Sequence, residues 1–257
     1  MIMTTAIIIT IISYFHQNQL PIYDINLAVK FILNKQNSND FDKISKVLGY
    51  EPTDKLLIIH ADDVGLCESV NSATFESFKN ESISSAAVML TTREIDEVAN
   101  FSINNPNFDM GIHLTVTSEW KYHKWGGVLK NNYISSLLNS KNQLYWNKRK
   151  FTKNGKLNEI RKELQAQIDL GISMGFNPSH IDSHEGALFF DPDIFRLYLD
   201  LARENDLLAF VPIQASVHFD RNFEKPKHAI IIDQFHMLPE GTEINEIKDY
   251  YFDVIEN

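Results

Sequence analysis

Apolar and polar positions alternate along this chain in two rhythms. Short apolar runs fit buried strands, and stretches with apolar residues every three or four positions fit amphipathic helices. Read this way, KLLIIHAD (55–62), ISSAAVML (83–90), DMGIHLTVT (109–117), PSHIDSH (178–184), LLAFVPIQ (207–214) and HAIIIDQF (228–235) are strands, the first of them buried. The stretches 24–35, 40–50, 69–81, 92–104, 156–176, 192–206 and 243–257 are helices. Asp24 sits where an N-cap belongs, Pro192 lies in a first turn, and Gly49 and Gly175 fall where helices close.

Strands that alternate with helices of this length imply βα units and a parallel sheet. With about six strands instead of eight, the pattern predicts a distorted or incomplete (β/α) barrel of TIM-like type. Residues 21–257 read as a single α/β domain. The stretch 118–151 breaks the rhythm and holds Trp120, Tyr122, Trp125, Tyr133, Tyr145 and Trp146. It reads as an aromatic-rich insertion, or lid, after a strand.

Residues 1–15 are almost wholly apolar. They are too few for a stable membrane span, which needs roughly 17–25 residues. The segment 1–20 has the length of a signal-peptide core, but no Lys or Arg precedes it. An export signal and a start misplaced upstream are both open. The first places the protein outside the cytoplasm, and the second leaves it cytoplasmic.

The chain has 257 residues and a net charge of −10. A negative surface argues against general nucleic-acid binding, which needs basic patches, and leaves a neutral substrate such as a sugar open. The one cysteine, Cys67, excludes an internal disulfide and reads as a small packed side chain.

Ligand-type residues gather at predicted strand ends. Asp62 and Asp63 close the first strand, His113 lies in the third, and His180, Asp182 and His184 lie on PSHIDSH. Positions i, i+2 and i+4 of a strand share a face. In parallel α/β folds, functional groups collect at the carboxyl ends of the strands. Alone, Asp-Asp reads as a turn or cap, and His113 as a core histidine. Together, carboxylate and imidazole suit Zn²⁺ or another divalent ion. Asp63, His113 and His184 would make such a set, and Asp62 would stand beside it to take a proton. His60 reads as facing either a helix or a group behind the ligands, His123 as a neighbour of the substrate, and His218, His228 and His236 have no assignable role.

HADDVGL, GIHLTVTSEW and PSHIDSHEG resemble the signature segments of the YdjC-like carbohydrate deacetylases: an Asp-Asp-x-Gly turn, a Gly-x-His-Leu strand and a His-x-Asp-Ser-His strand. The resemblance runs from Lys55 to Val211, and SEWKYHKWGG is similar to a tryptophan-containing stretch in part of that family. It implies a distorted (β/α) barrel with one divalent metal ion, zinc or magnesium, that removes N-acetyl groups from amino sugars or oligosaccharides. It also implies Asp63, His113 and His184 as ligands, Asp62 as general base, His180 and Asp182 as groups that orient the ligands, and Trp120 and Trp125 as sugar-stacking residues. There are departures. Val64 replaces a common aromatic, Glu185 follows His184 where many members carry further histidines, and Gln214 stands where an arginine is frequent. Family members also continue to a further strand with a histidine near a proline. This sequence stops at Asn257 before such a strand, so either it is a fragment or the last βα part, and with it the general acid, is missing. That leaves two alternatives: a carbohydrate-binding homologue without turnover, and a metal-dependent hydrolase of another amide or ester.

Overall fold

The computed structural model describes residues 49–51, 53–212, 215, 228–232, 235–238 and 241–256. The apolar segment 1–20, the helix read at 24–35, nearly all of 40–50, Gln214 and His218 lie outside the described residues.

Six strands form one parallel sheet in chain order: β1 His60–Val64, β2 Ser85–Val88, β3 Met110–Leu114, β4 His180–Ser183, β5 Leu208–Pro212 and β6 Ala229–Ile232. The helices are α1 Glu68–Lys79, α2 Ile95–Asn104, α3 Lys148–Asn154, α4 Leu157–Ser173, α5 Pro192–Glu204 and α6 Ile247–Glu256. Parallel strands in sequential order need crossovers that all run one way. Right-handed crossovers then put the helices on one face, as in a barrel, whereas doubly wound sheets reverse their order midway. The sheet is not closed: among the described residues β1 and β6 each have one strand neighbour. This is an α/β fold consistent with a distorted TIM-like barrel.

Alternation along each strand divides its residues between helix layer and interior. Ile112 and Ile181 are fully buried toward the helices. A Cβ on Gly171 would come within 2.7 Å of Ile112, so α4 lies directly on β3. The buried Tyr198 hydroxyl sits 2.8 Å from the Ile181 carbonyl and 2.9 Å from that of Phe210, which fastens α5 across β4 and β5. The other face brings His60, Gly111, His113, His180, Asp182 and Phe210 into mutual contact.

The first strand departs from its sequence reading. The apolar run Leu56–Ile59 is not buried: these four side chains are 44–58% exposed, and β1 begins only at His60. Pairing explains the difference. The ladder with β2 starts at His60↔Ser85, past the run, and among the described residues β1 has no strand neighbour on its other side.

The insertion after β3 contains two 3-10 turns (131–133 and 135–137) and α3, whose first turn is capped by the Asn147 side chain accepting from Lys150 N at 2.9 Å. The fully buried Glu163 of α4 accepts from Val128 N (2.7 Å) and Leu129 N (3.0 Å). Gln167 pairs with both backbone groups of Thr115, at 2.9 and 2.8 Å. One helix therefore holds both the root and the body of the insertion. No helix among the described residues is long and apolar enough to cross a membrane.

Candidate metal centre

Two adjacent strand residues normally face opposite ways. Between Ala61↔Ala86 and Val64↔Val88, β1 advances three residues while β2 advances two, so β1 carries a bulge at Asp62–Asp63. Asp63 takes the left-handed conformation, φ 58°, which aspartate tolerates better than most residues. Its carbonyl accepts from Leu66 N at 3.1 Å, and Val64 O accepts from Met89 N at 2.8 Å. Gly65, with φ 96°, donates its N–H to Asn71 Oδ1 at 2.7 Å. The fully buried Asn71 also donates to Glu94 O (2.9 Å) and Glu97 Oε2 (3.1 Å), which ties the turn to α2.

The bulge delivers Asp63 Oδ1 to two histidines. It lies 3.3 Å from His113 Nε2 and 2.9 Å from His184 Nδ1, and these two nitrogens are 3.2 Å apart. The outward nitrogen of each ring meets a carboxylate. His113 Nδ1–H donates to Asp182 Oδ1 at 2.7 Å, and His184 Nε2–H donates to Glu119 Oε2 at 3.0 Å. Ionised carboxylates only accept. Asp63 draws a proton to the inward nitrogens as Asp182 and Glu119 draw one to the outward nitrogens, so an ion that displaces the inward proton leaves the outward N–H in place and a bare lone pair facing in.

Burial alone would raise the Asp63 carboxyl, but hydrogen bonds from His113 and His184 hold it well below the usual carboxylate range. Burial would likewise lower both histidines. Asp182 and Asp63 instead hold His113 well above its ordinary value, and hydrogen bonds to Asp63 and Glu119 carry His184 up to about 8. Asp62 moves the other way. Crowding by protein raises its carboxyl, His113 opposes this, and the like charges of Asp63 and Asp182 add to it, although the residue keeps an exposed surface.

Three acceptor atoms at 2.9–3.3 Å repel one another unless a proton or a cation lies among them. Donors held about 2.0–2.2 Å from one ion stand about 2.8–3.6 Å apart at octahedral to tetrahedral angles. Spacing, donor types and the carboxylates behind both rings therefore all fit a divalent ion held by Asp63, His113 and His184.

The other residues singled out in the sequence are placed as follows. Asp182 bridges His113 and His60, whose Nε2 lies 3.1 Å from Asp182 Oδ2. His180 lies beneath them: it bonds Ser179 Oγ at 2.7 Å and stacks on Phe210 at 4.4 Å, so it meets the cluster only through the edge of His60. Trp120 is half-exposed. Trp125 is buried, donates its indole N–H to Thr117 O at 2.8 Å, and sets its ring 6.0 Å from that of His184. His123 is exposed, 6.1 Å from Trp125. His228 lies 3.9 Å from Asp206, away from the cluster. Cys67 is only partly buried, just ahead of α1, with its sulfur 3.2 Å from Ser69 Oγ. Glu119 was not singled out; the one sequence signal was an acidic residue a few positions past the His113 strand.

Fold and site thus place the chain among α/β proteins consistent with a distorted barrel, with a donor set at the strand ends that could hold a metal ion. Within that class it belongs to the YdjC-like protein family, whose model matches residues 56–248. It is 33% identical over 160 residues to a chitooligosaccharide deacetylase of Yersinia enterocolitica, covering 60% of this chain and 58% of the relative. It is 28% identical over 151 residues to a carbohydrate deacetylase of Clostridium beijerinckii, covering 59% and 58%. A chitooligosaccharide deacetylase of Yersinia pestis matches at 30% over 184 residues, covering 70% and 65%. The chain thus spans 58–65% of the length of these relatives. A crystal structure from Enterococcus faecalis V583, described as a candidate cellobiose-phosphate cleavage protein, superimposes with a TM-score of 0.56 at 28% identity, covering 62% of this chain and 59% of the other.

Proposed function

We propose that this chain is a metal-dependent carbohydrate deacetylase that hydrolyses the N-acetyl group of an amino sugar or oligosaccharide. The observation that carries the reading is the convergence of Asp63, His113 and His184 within 3.3 Å of one another, beside a further carboxylate, Asp62. The names of the relatives supply the reaction.

Asp63 Oδ1, His113 Nε2 and His184 Nδ1 would hold one divalent ion, zinc or magnesium. Such an ion polarises the amide carbonyl and makes a water nucleophilic near neutral pH. Asp62, the chain neighbour of Asp63 and raised in proton affinity by burial, would act as general base and take the proton of the attacking water. As the C–N bond breaks, the leaving nitrogen needs a proton, and Asp62, protonated by then, returns it. Asp182 and Glu119 keep both imidazoles in the tautomer that faces the ion. Trp120 offers an exposed ring face for a sugar, while Trp125 packs beside His184.

Acetate release from N-acetylglucosamine oligomers by the full chain, with Zn²⁺ or Mg²⁺ and then with chelator, tests the reading. Chelator-sensitive release supports it. Sugar binding with no release under either metal would sink it.

A further inference from the structure

His113 and His184 present opposite ring nitrogens to Asp63, Nε2 from one and Nδ1 from the other. Each choice must be imposed, because a neutral imidazole is free to carry its proton on either nitrogen. For His113 the outward partner is Asp182, held within the sheet on β4. For His184 it is Glu119, which belongs to the insertion. His184 is the last residue before two left-handed positions, Glu185 (φ 56°) and Gly186 (φ 59°), so no strand or helix continues through it to set its ring.

The segment that brings Glu119 in is itself held. Ser118 N donates to Tyr145 O at 2.8 Å, Trp125 N donates to Ser118 Oγ at 3.1 Å, and Lys124 donates to Ser118 O. Trp125 then closes the ring of His184 from the side. Lys148, at the start of α3, donates to Glu185 O at 2.8 Å and fixes the backbone just after the histidine.

We propose that Glu119 is a positioning residue of the metal centre: it holds the proton of His184 on Nε2, so that Nδ1 is the nitrogen that faces Asp63 and His113. The insertion thereby completes the donor set without supplying a ligand. The inference rests on the metal reading of the Asp63–His113–His184 cluster.

The test compares the full chain with Glu119→Ala and Glu119→Gln. Glutamine keeps an oxygen acceptor for Nε2–H, and alanine removes it. Zinc affinity is read by competition with a chromogenic chelator. The His184 tautomer is read by histidine ¹⁵N resonances of the metal-free protein at a pH well above 8, where the ring is neutral. The parent should carry Nε2–H in a large share, with Asp63 competing for the same proton at Nδ1. Glu119→Ala should shift the proton to Nδ1, toward Asp63, and lose about 10–100-fold in zinc affinity, and Glu119→Gln should recover most of both. An alanine variant with parental tautomer and affinity within about twofold would overturn the proposal, as would a glutamine variant no better than alanine. If the parent itself binds no zinc, the metal reading fails, and the tautomer measurement still decides the role of Glu119.

Discussion

Gly111 lies directly against His180: a Cβ on the glycine would sit 2.3 Å from the histidine Nε2. The ring has no room to yield, because its far face stacks on Phe210. Gly111→Ala should therefore destabilise the protein by about 1–3 kcal/mol through overpacking. Urea unfolding measures this. The double variant Gly111→Ala/His180→Ala should lose less than the two single losses combined, because the clash disappears with the ring.

An ion bound by Asp63, His113 and His184 should stabilise the folded chain. At a free zinc concentration about a hundredfold above Kd, the gain is about 2.7 kcal/mol, which in a domain of this size raises Tm by about 5–10 °C. Asp63→Ala should abolish the zinc-dependent rise. A rise that survives that substitution would place the ion elsewhere.

Stability of the metal-free chain should fall as pH rises through about 8. Hydrogen bonds to Asp63 and Glu119 raise His184 from 6.5 to about 8. A group whose folded pKa exceeds its unfolded value contributes fully below the unfolded value and loses that contribution above the folded one. Differential scanning calorimetry of apo protein across pH 6–9 gives the trend. Zinc affinity should run the opposite way over this window, because the ion displaces the same proton. Titration in two buffers of different ionisation enthalpy counts the protons released.

Asn71 should matter more than an ordinary helix residue. Its removal orphans the N–H of Gly65 and the carbonyl of Glu94. Asn71→Ala should cost about 2–4 kcal/mol, read by urea unfolding. Asn71→Asp keeps the Gly65 contact but sets a second carboxylate where the amide met Glu97, so it should be less harmful at pH 5 than at pH 8.

Glu163 holds the insertion by accepting two backbone N–H groups and the Gln167 amide. In Glu163→Gln, one oxygen becomes an NH₂ that confronts a donor. We expect a loss of about 1–3 kcal/mol, with limited proteolysis cutting first within 118–147.

The strand ends were legible because period-two spacing puts His180, Asp182 and His184 on one face whatever the details of pairing. Sheet order was legible from the regular alternation of strands and helices. The start of β1 was not: an apolar run has no mark for where its first ladder partner stands, and Leu56–Ile59 precede that partner. The sequence reading set Asp63, not Asp62, with the histidines, but the cause of that placement, a one-residue slip against β2, was not visible in it. Trp120 and Trp125 look alike in sequence, and only the bond of Trp125 to Thr117 O sends one inward. Glu119 was hidden because a single acid in a polar, aromatic stretch has no periodicity to report its direction.

Strand order also governs when this site comes into existence during synthesis. Asp63 and His184, which touch in space, are separated by 121 positions in the chain. His60, Asp63, His113, Glu119, Asp182 and His184 all lie between the start of the first strand and the residue just after the fourth, and α5 follows them and ends at Glu204. A nascent chain that has left the ribosome tunnel through Glu204 therefore already contains every donor and every carboxylate that orients one. Phe210, which backs His180, arrives only afterwards.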